Sequence, residues 1–193
     1  MKREAIIVRK TNETDIALSL ELDGTGIASV QTGVGFFDHM IKLLVFHSGF
    51  NLDVKADGDL EVCDHHMVED VGIALGKLFN SALGEKLGIK RYSSMFLPMD
   101  ETLVMIALDI SGRPFLHFEG DFKREKIGDF STEMVEEFLR AFAFNAGITL
   151  HVRILYGTND HHKVEAIFKA LGRCLKEASQ INGISVPSSK GVL

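Results

Sequence analysis

The chain is short of several things, and each shortage excludes a class of protein. It has three prolines in 193 residues and no low-complexity segment, so proline-rich linkers and disordered tracts are not expected. It lacks a basic excess. The formal net charge is -6 and the pI about 5.7, which argues against nucleic acid as the main partner, because neutralising phosphates needs a basic face. A small phosphorylated ligand stays open, since it needs only a few local cations. The two cysteines, Cys63 and Cys174, allow at most one disulfide, and two reduced thiols are expected. No apolar run approaches the roughly 20 residues of a membrane span. The opening MKREAIIVRK carries no apolar core of signal-peptide length, so a soluble, cytoplasmic protein is expected. What remains is ordinary for a globular chain: 46% hydrophobic and 25% charged residues.

Against that plain background, the chain repeats itself. DHHMVEDVGIALGKLFNSA from Asp64 aligns with DHHKVEAIFKALGRCLKEA from Asp160, and nine of the 19 positions are identical, 96 residues apart. About one identity is expected by chance, so the match points to a duplication. Upstream, HSGFNLDV from His47 matches NAGITLHV from Asn145, and NETDIALSLELDG from Asn12 matches DETLVMIALDISG from Asp100. The order of elements is the same in both halves. The expected units are residues 1–90 and 91–193, the second ending in the polar tail PSSKGVL.

Each unit mixes strands and helices. Ile16, Leu18, Leu20 and Leu22 alternate with polar residues, as do Phe50, Leu52, Val54 and Ala56, which predicts half-buried strands. Phe36, Phe37, Met40, Ile41 and Leu44 recur at helical spacing, and so do Val68, Val71, Leu75, Leu78, Phe79 and Ala82. The second unit repeats this through Leu108 and Ile110, then 134–142, 148–154 and 164–178. Hairpin-like spacing favours α+β over a parallel sheet.

The repeated element opens with His-His-x-x-Glu. Residues four apart share a helix face, so His65 with Glu69, and His161 with Glu165, can reach one ion. Neighbouring residues are turned by about 100°, so His66 and His162 point elsewhere and suit a different ion. Core packing gives no reason to repeat four His and two Glu, and a metal-binding role follows. Asp64 and Asp160 are expected to cap the two helices. His39, in FFDHM, has Glu137 as its counterpart, and both types can bind a borderline divalent cation; spacing alone leaves either as a polar helix flank. The mixture of imidazole and carboxylate suits Mn, Fe, Zn or Ni. Glu13 and Glu101 match in NET and DET and are candidates for proton transfer or simply charged residues at strand starts. Arg91, Arg113, Lys169, Ser189 and Lys190 suit a phosphate, although spacing alone reads the cations as solvated. His47 is expected to be structural, and His117 and His151 to face outward.

FFDHM (36–40), DHHMVEDVGIALG (64–76), PMDE (98–101), SGRP (111–114), NDHHKVEAIFKA (159–170) and PSSKG (187–191) together resemble the imidazoleglycerol-phosphate dehydratase family, over nearly the whole chain. The resemblance implies an internally duplicated α+β fold. Each copy would be a mixed four-stranded sheet with two helices, of the ribosomal protein S5 domain 2-like type. It further implies two Mn(II) per subunit, a homo-oligomer of 24 chains built from trimers, and active sites at subunit interfaces. By position, His39, His65, His66, Glu69, His161, His162 and Glu165 match the family's metal ligands, and Glu137 stands where many members have His. Glu13 matches the acid/base carboxylate. Arg91, Arg113, Lys169, Ser189 and Lys190 match the phosphate-binding groups. The implied substrate is a small phosphorylated imidazole, imidazole glycerol phosphate, which loses water to give imidazole acetol phosphate on the route to histidine. The proton to be removed is not beside a carbonyl, so an ordinary base fails; a metal on the ring nitrogen would acidify the ring. A di-metal phosphomonoester hydrolase is the alternative enzymatic reading. A metal-storage module is the non-enzymatic one, and the strand alternations count against it.

Overall fold

The computed structural model describes residues 2–193. The first half runs β1 (Glu4–Lys10), β2 (Thr14–Glu21), β3 (Ala28–Gln31), α1 (Gly35–Ser48), β4 (Asn51–Gly58) and α2 (His65–Leu83). The second runs β5 (Tyr92–Met99), β6 (Thr102–Asp109), β7 (Phe115–Glu119), the short β8 (Lys126–Ile127) and β9 (Phe130–Ser131), α3 (Met134–Ala146), β10 (Thr149–Tyr156) and α4 (Asp160–Ser179).

Both halves build the same sheet. The strand orders are β1-β2-β4-β3 and β5-β6-β10-β7, with the first three strands antiparallel and the last parallel to its neighbour. The predicted duplicated α+β unit is therefore present twice. Alternation sets the faces: Ile16, Leu18, Leu20, Leu52 and Val54 are buried from the first sheet, and Val104, Ile106, Leu108, Leu150 and Val152 from the second. The inner face of α1 is Phe37, Met40, Ile41 and Leu44, as the helical spacing predicts.

The halves do not form separate cores. Helix α2 packs on α3 and α1 packs on α4, so the four helices lie between two outer sheets and one continuous hydrophobic core spans both units. Two glycines make this crossing possible. Gly76 and Gly172 stand at equivalent positions of the repeated Ala-Leu-Gly. A Cβ on Gly76 would sit 2.6 Å from the carbonyl oxygen of Phe142 on α3, and one on Gly172 would sit 2.4 Å from that of Leu44 on α1. These neighbours are backbone and cannot swing away. Gly172→Ala is expected to destabilise the chain by about 1–3 kcal/mol through overpacking, and Gly76→Ala similarly. Denaturant unfolding measures this; a variant as stable as the parent would contradict the close crossing.

The tail has no helix or strand but is tied down. Asn182 donates its N–H to the Gly88 carbonyl at 2.7 Å, Gly88 donates to Ser185 at 2.9 Å, and Arg91 Nη1 donates to the Pro187 carbonyl at 2.8 Å. Both cysteines are free, Cys63 exposed and Cys174 buried. Among the described residues no helix is long and apolar enough to cross a membrane.

Candidate active site

The two His-His-x-x-Glu elements open α2 and α4, and their geometry follows the helical argument. His65 Nε2 lies 3.8 Å from Glu69 Oε2, and His161 Nε2 lies 3.0 Å from Glu165 Oε2. Adjacent rings stand nearly perpendicular, with centroids 6.2 Å apart at 76° for His65 and His66 and 6.0 Å apart at 87° for His161 and His162, and their Nε2 atoms meet different carboxylates. Each helix start therefore offers imidazoles in two directions.

The helix crossing brings elements of opposite halves together at these starts. His65, from the first half, lines a cleft of about 280 Å³ with Glu133, Glu136 and Glu137 of the second half. Glu137 also lies 3.5 Å from Arg140 Nε. On the other side, Phe36 at the start of α1 packs its ring 5.1 Å from that of His161, and His39 stands exposed one turn further along. Each His pair thus faces a helix start of the other unit. Among the described residues, no three His, Cys, Asp or Glu side chains converge closely enough to hold an ion within one chain.

The second histidine of each pair is tied by a carboxylate. His66 Nδ1 lies 3.0 and 3.2 Å from the two oxygens of Asp59. This hydrogen bond raises the His66 pKa, with burial opposing and the Glu13 charge assisting. His162 Nδ1 lies 2.8 Å from Glu101 Oε2. In both, the Nε2 atom is the one left facing outward, toward Glu13 at 3.8 Å and toward Asp100 at 3.8 Å respectively. Metal-bound histidines are usually held this way at their other nitrogen.

Glu13 and Glu101, matched in sequence, have different surroundings. Glu101 accepts from the N–H groups of Thr158 at 3.0 Å and Asn159 at 2.8 Å, and from the Thr102 hydroxyl at 3.0 Å. His162 first, then these backbone donors, holds the Glu101 carboxyl far below the usual carboxylate range. The Glu13 carboxylate is about half exposed and 3.8 Å from His66 Nε2.

The cationic residues fall into two groups. Arg91 binds Asp109 through Nε at 2.6 Å and Nη2 at 3.1 Å, and this pairing raises its pKa. Arg113 Nη2 lies 3.9 Å from the same carboxylate. The tail bearing Ser189 and Lys190 is bound to Arg91 at Pro187, and its last residue, Leu193, lies against Gly112. Arg91, Arg113, Ser189 and Lys190 therefore belong to one region. Lys169 stands apart, 2.5 Å from Glu165 and 3.4 Å from Met99 Sδ. Met99 ends the strand that Arg91 precedes, and eight residues of strand span roughly 25 Å.

Asp64 stands at the N-cap position of α2, as expected, whereas Asp160 is the first residue inside α4 and does not cap it. The side chain of Asp64 makes no cap hydrogen bond to α2, and the α4 cap is Asn159, which accepts from His161 N–H. Both aspartates reach outward instead, to the excursion between β7 and α3. Asp64 accepts from the Ser131 N–H at 2.6 Å and its hydroxyl at 2.7 Å, and Asp160 accepts from the Lys123 and Arg124 N–H groups, both at 2.8 Å. A loop offering several unpaired N–H groups outcompetes the local cap. Sequence reasoning also missed Asp59 and Asp100: Asp59 lies outside the matched segments, and Asp100, although it opens a matched segment, stands opposite Asn12 and lies at no helical spacing from a histidine. The one available signal was an acidic residue directly after a strand end.

His47 is half-buried, and burial lowers its pKa, with Lys169 and Arg173 adding to the effect. His117 faces outward and pairs in register with His151, their rings 5.5 Å apart.

Comparison with known proteins agrees with this construction. The family profile of imidazoleglycerol-phosphate dehydratase matches residues 32–175. An imidazoleglycerol-phosphate dehydratase of Clostridium botulinum is 57% identical over 99% of this chain and 98% of its own. That of Acetivibrio thermocellus is also 57% identical, over the full length of both. The crystal structure of the Staphylococcus aureus enzyme superposes with a TM-score of 0.83 at 41% identity, covering 94% of this chain and 99% of that one. The Pyrococcus furiosus enzyme, solved in complex with (S)-C348, gives 0.83 at 34% identity, covering 97% and 100%. The phosphomonoester hydrolase alternative has no support from these relatives. With a matching family profile, full-length relatives and the same duplicated fold, the chain belongs to the imidazoleglycerol-phosphate dehydratase family, the hydro-lyases that take water from imidazole glycerol phosphate in histidine biosynthesis.

Proposed function

We propose that the dehydration runs at metal sites built from both His-His-x-x-Glu elements and completed by further copies of the chain. The observation that carries this is the different setting of the two rings in each pair: the first lies by the glutamate four residues on, and the second has Nδ1 tied to another carboxylate and Nε2 left for a ligand. The donor set fits a borderline divalent ion, and its mixture of imidazole and carboxylate suits Mn(II). His65, His66, Glu69, His161, His162 and Glu165 would hold two ions per subunit, with His39 and Glu137 as further ligands from the facing helix starts.

A bound ion acidifies the imidazole ring of the substrate. The chain does the rest. Glu13 carries protons to and from the substrate. Arg91, Arg113, Ser189 and Lys190 hold the phosphate, with Lys169 contributing from another copy. Lys169 and Arg91 are too far apart along one chain to grip one phosphate, which supports a shared site in a homo-oligomer of 24 chains built from trimers, working in the cytoplasm.

Chelator-stripped protein, assayed with imidazole glycerol phosphate, is expected to be inactive and to regain activity on adding Mn(II), at two equivalents per chain. Light scattering is expected to give the mass of 24 chains. Undiminished turnover after complete metal removal would contradict the reading.

A further inference from the structure

The duplication allows the two halves to be compared residue by residue. His66 and His162 are equivalent, and so are Glu13 and Glu101. In the second half the equivalent pair meets: Glu101 takes Nδ1 of His162 at 2.8 Å. In the first half it does not. His66 Nδ1 is taken by Asp59 at 3.0 Å, and Glu13 lies 3.8 Å from the opposite ring nitrogen.

The sequence explains the exchange. Asp59 follows Gly58, which pairs with Thr14; in the second half a bulge between Ile154 and Tyr156 puts Gly157 in the place of Gly58, against Thr102, so the residue in the place of Asp59 is Thr158. Threonine offers no carboxylate there, and Glu101 serves instead, held further by the Thr158 and Asn159 N–H groups. In the first half Asp59 supplies the carboxylate, and that of the preceding hairpin is released from the duty.

We infer that Asp59 is a positioning residue: by occupying Nδ1 of His66 it turns Nε2 toward the ion and leaves Glu13 free for proton transfer, a freedom Glu101 lacks. This rests on the reading above of His66 as a ligand and Glu13 as the proton carrier. A carboxylate on the far nitrogen of a ligating histidine fixes its tautomer and orientation, and losing it costs roughly 10–100-fold in metal affinity or activity. The duplicated fold would then hold two versions of one device, one of which spares a carboxylate for chemistry.

Calorimetric titration of metal-free Asp59→Ala, Asp59→Asn and His66→Ala with Mn(II) tests this. In Asp59→Ala one of the two equivalents is expected to bind roughly 10–100-fold more weakly, and turnover is expected to recover as Mn(II) is raised to saturation. Asp59→Asn, which keeps an acceptor oxygen without the charge, is expected to fall between Asp59→Ala and the parent. Thermal unfolding of the metal-free variants serves as the folding control, since a purely structural role would move that and not the metal affinity. Parent-like affinity for both equivalents in both Asp59 variants, with His66→Ala weakened, overturns the inference alone. Parent-like affinity in His66→Ala overturns the reading of the site beneath it.

Discussion

Glu13→Gln is expected to lower turnover by about 10²–10⁴-fold, the usual contribution of a positioned proton carrier, while substrate binding remains measurable. The expectation comes from the different settings of two carboxylates that the sequence makes equivalent. Glu101 is spent on His162, Thr102 and the 158–159 backbone, so its charge is fixed and a base so far below the usual range accepts protons poorly. Glu13 is half exposed beside His66 Nε2 and has no such commitments. Gln has the same size and cannot exchange a proton, so folding and metal content are expected to be unchanged. The companion Glu101→Gln loosens His162 and is expected to weaken Mn(II) binding, with turnover largely restored at saturating metal. Stopped assays for imidazole acetol phosphate, with metal content measured on the same samples, separate the two effects. Turnover of Glu13→Gln within tenfold of the parent would remove Glu13 from its role.

The other large effect concerns His161. Its Nε2 sits 3.0 Å from Glu165, which is nearly buried and bonded to Lys169 at 2.5 Å. His161→Ala removes one arm of a face shared by His161 and Glu165 and leaves Lys169 to neutralise the carboxylate alone. The variant is expected to bind fewer than two Mn(II) per chain and to lose at least about 10²-fold in turnover, on the scale of removing a metal that stabilises developing charge. His65→Ala is expected to act in the same way through Glu69, with a smaller effect on metal-free stability because Glu69 is far more exposed than Glu165. Metal analysis and turnover on both variants give the comparison. Two tightly bound ions in His161→Ala would contradict the assignment.

Much of this was legible in the sequence, for a definite reason. A duplication turns one weak motif into two that test each other, and helical geometry then dictates that His and Glu four apart share a face while adjacent histidines diverge. The strand at 16–22 and the helix at 36–44 were equally plain, because their inward residues follow the period of the element. Residues that break that link were not readable. In β1, Ile6 and Val8 are the exposed residues, 81% and 71%, so hydrophobicity there does not mark the core. Gly76 and Gly172 were visible as repeated letters, but their purpose depends on α3 and α1 crossing at those points. Asp64 and Asp160 had every local mark of helix caps, and distant N–H groups at Ser131, Lys123 and Arg124 claimed them. Asp59 lies seven residues before the histidine it orients, across a loop whose path no period encodes. The residues lost to sequence reading are those whose partners come from loop geometry or from the crossing of the halves.

Diffraction from Mn(II)-saturated crystals at the manganese absorption edge locates the ions themselves. Two anomalous peaks per chain are predicted, with Nε2 atoms of His65, His66, His161 and His162 among their ligands and some ligands of each ion drawn from a neighbouring copy. Peaks that touch none of these four histidines, or a saturated crystal with no peak at either helix start, would contradict the prediction.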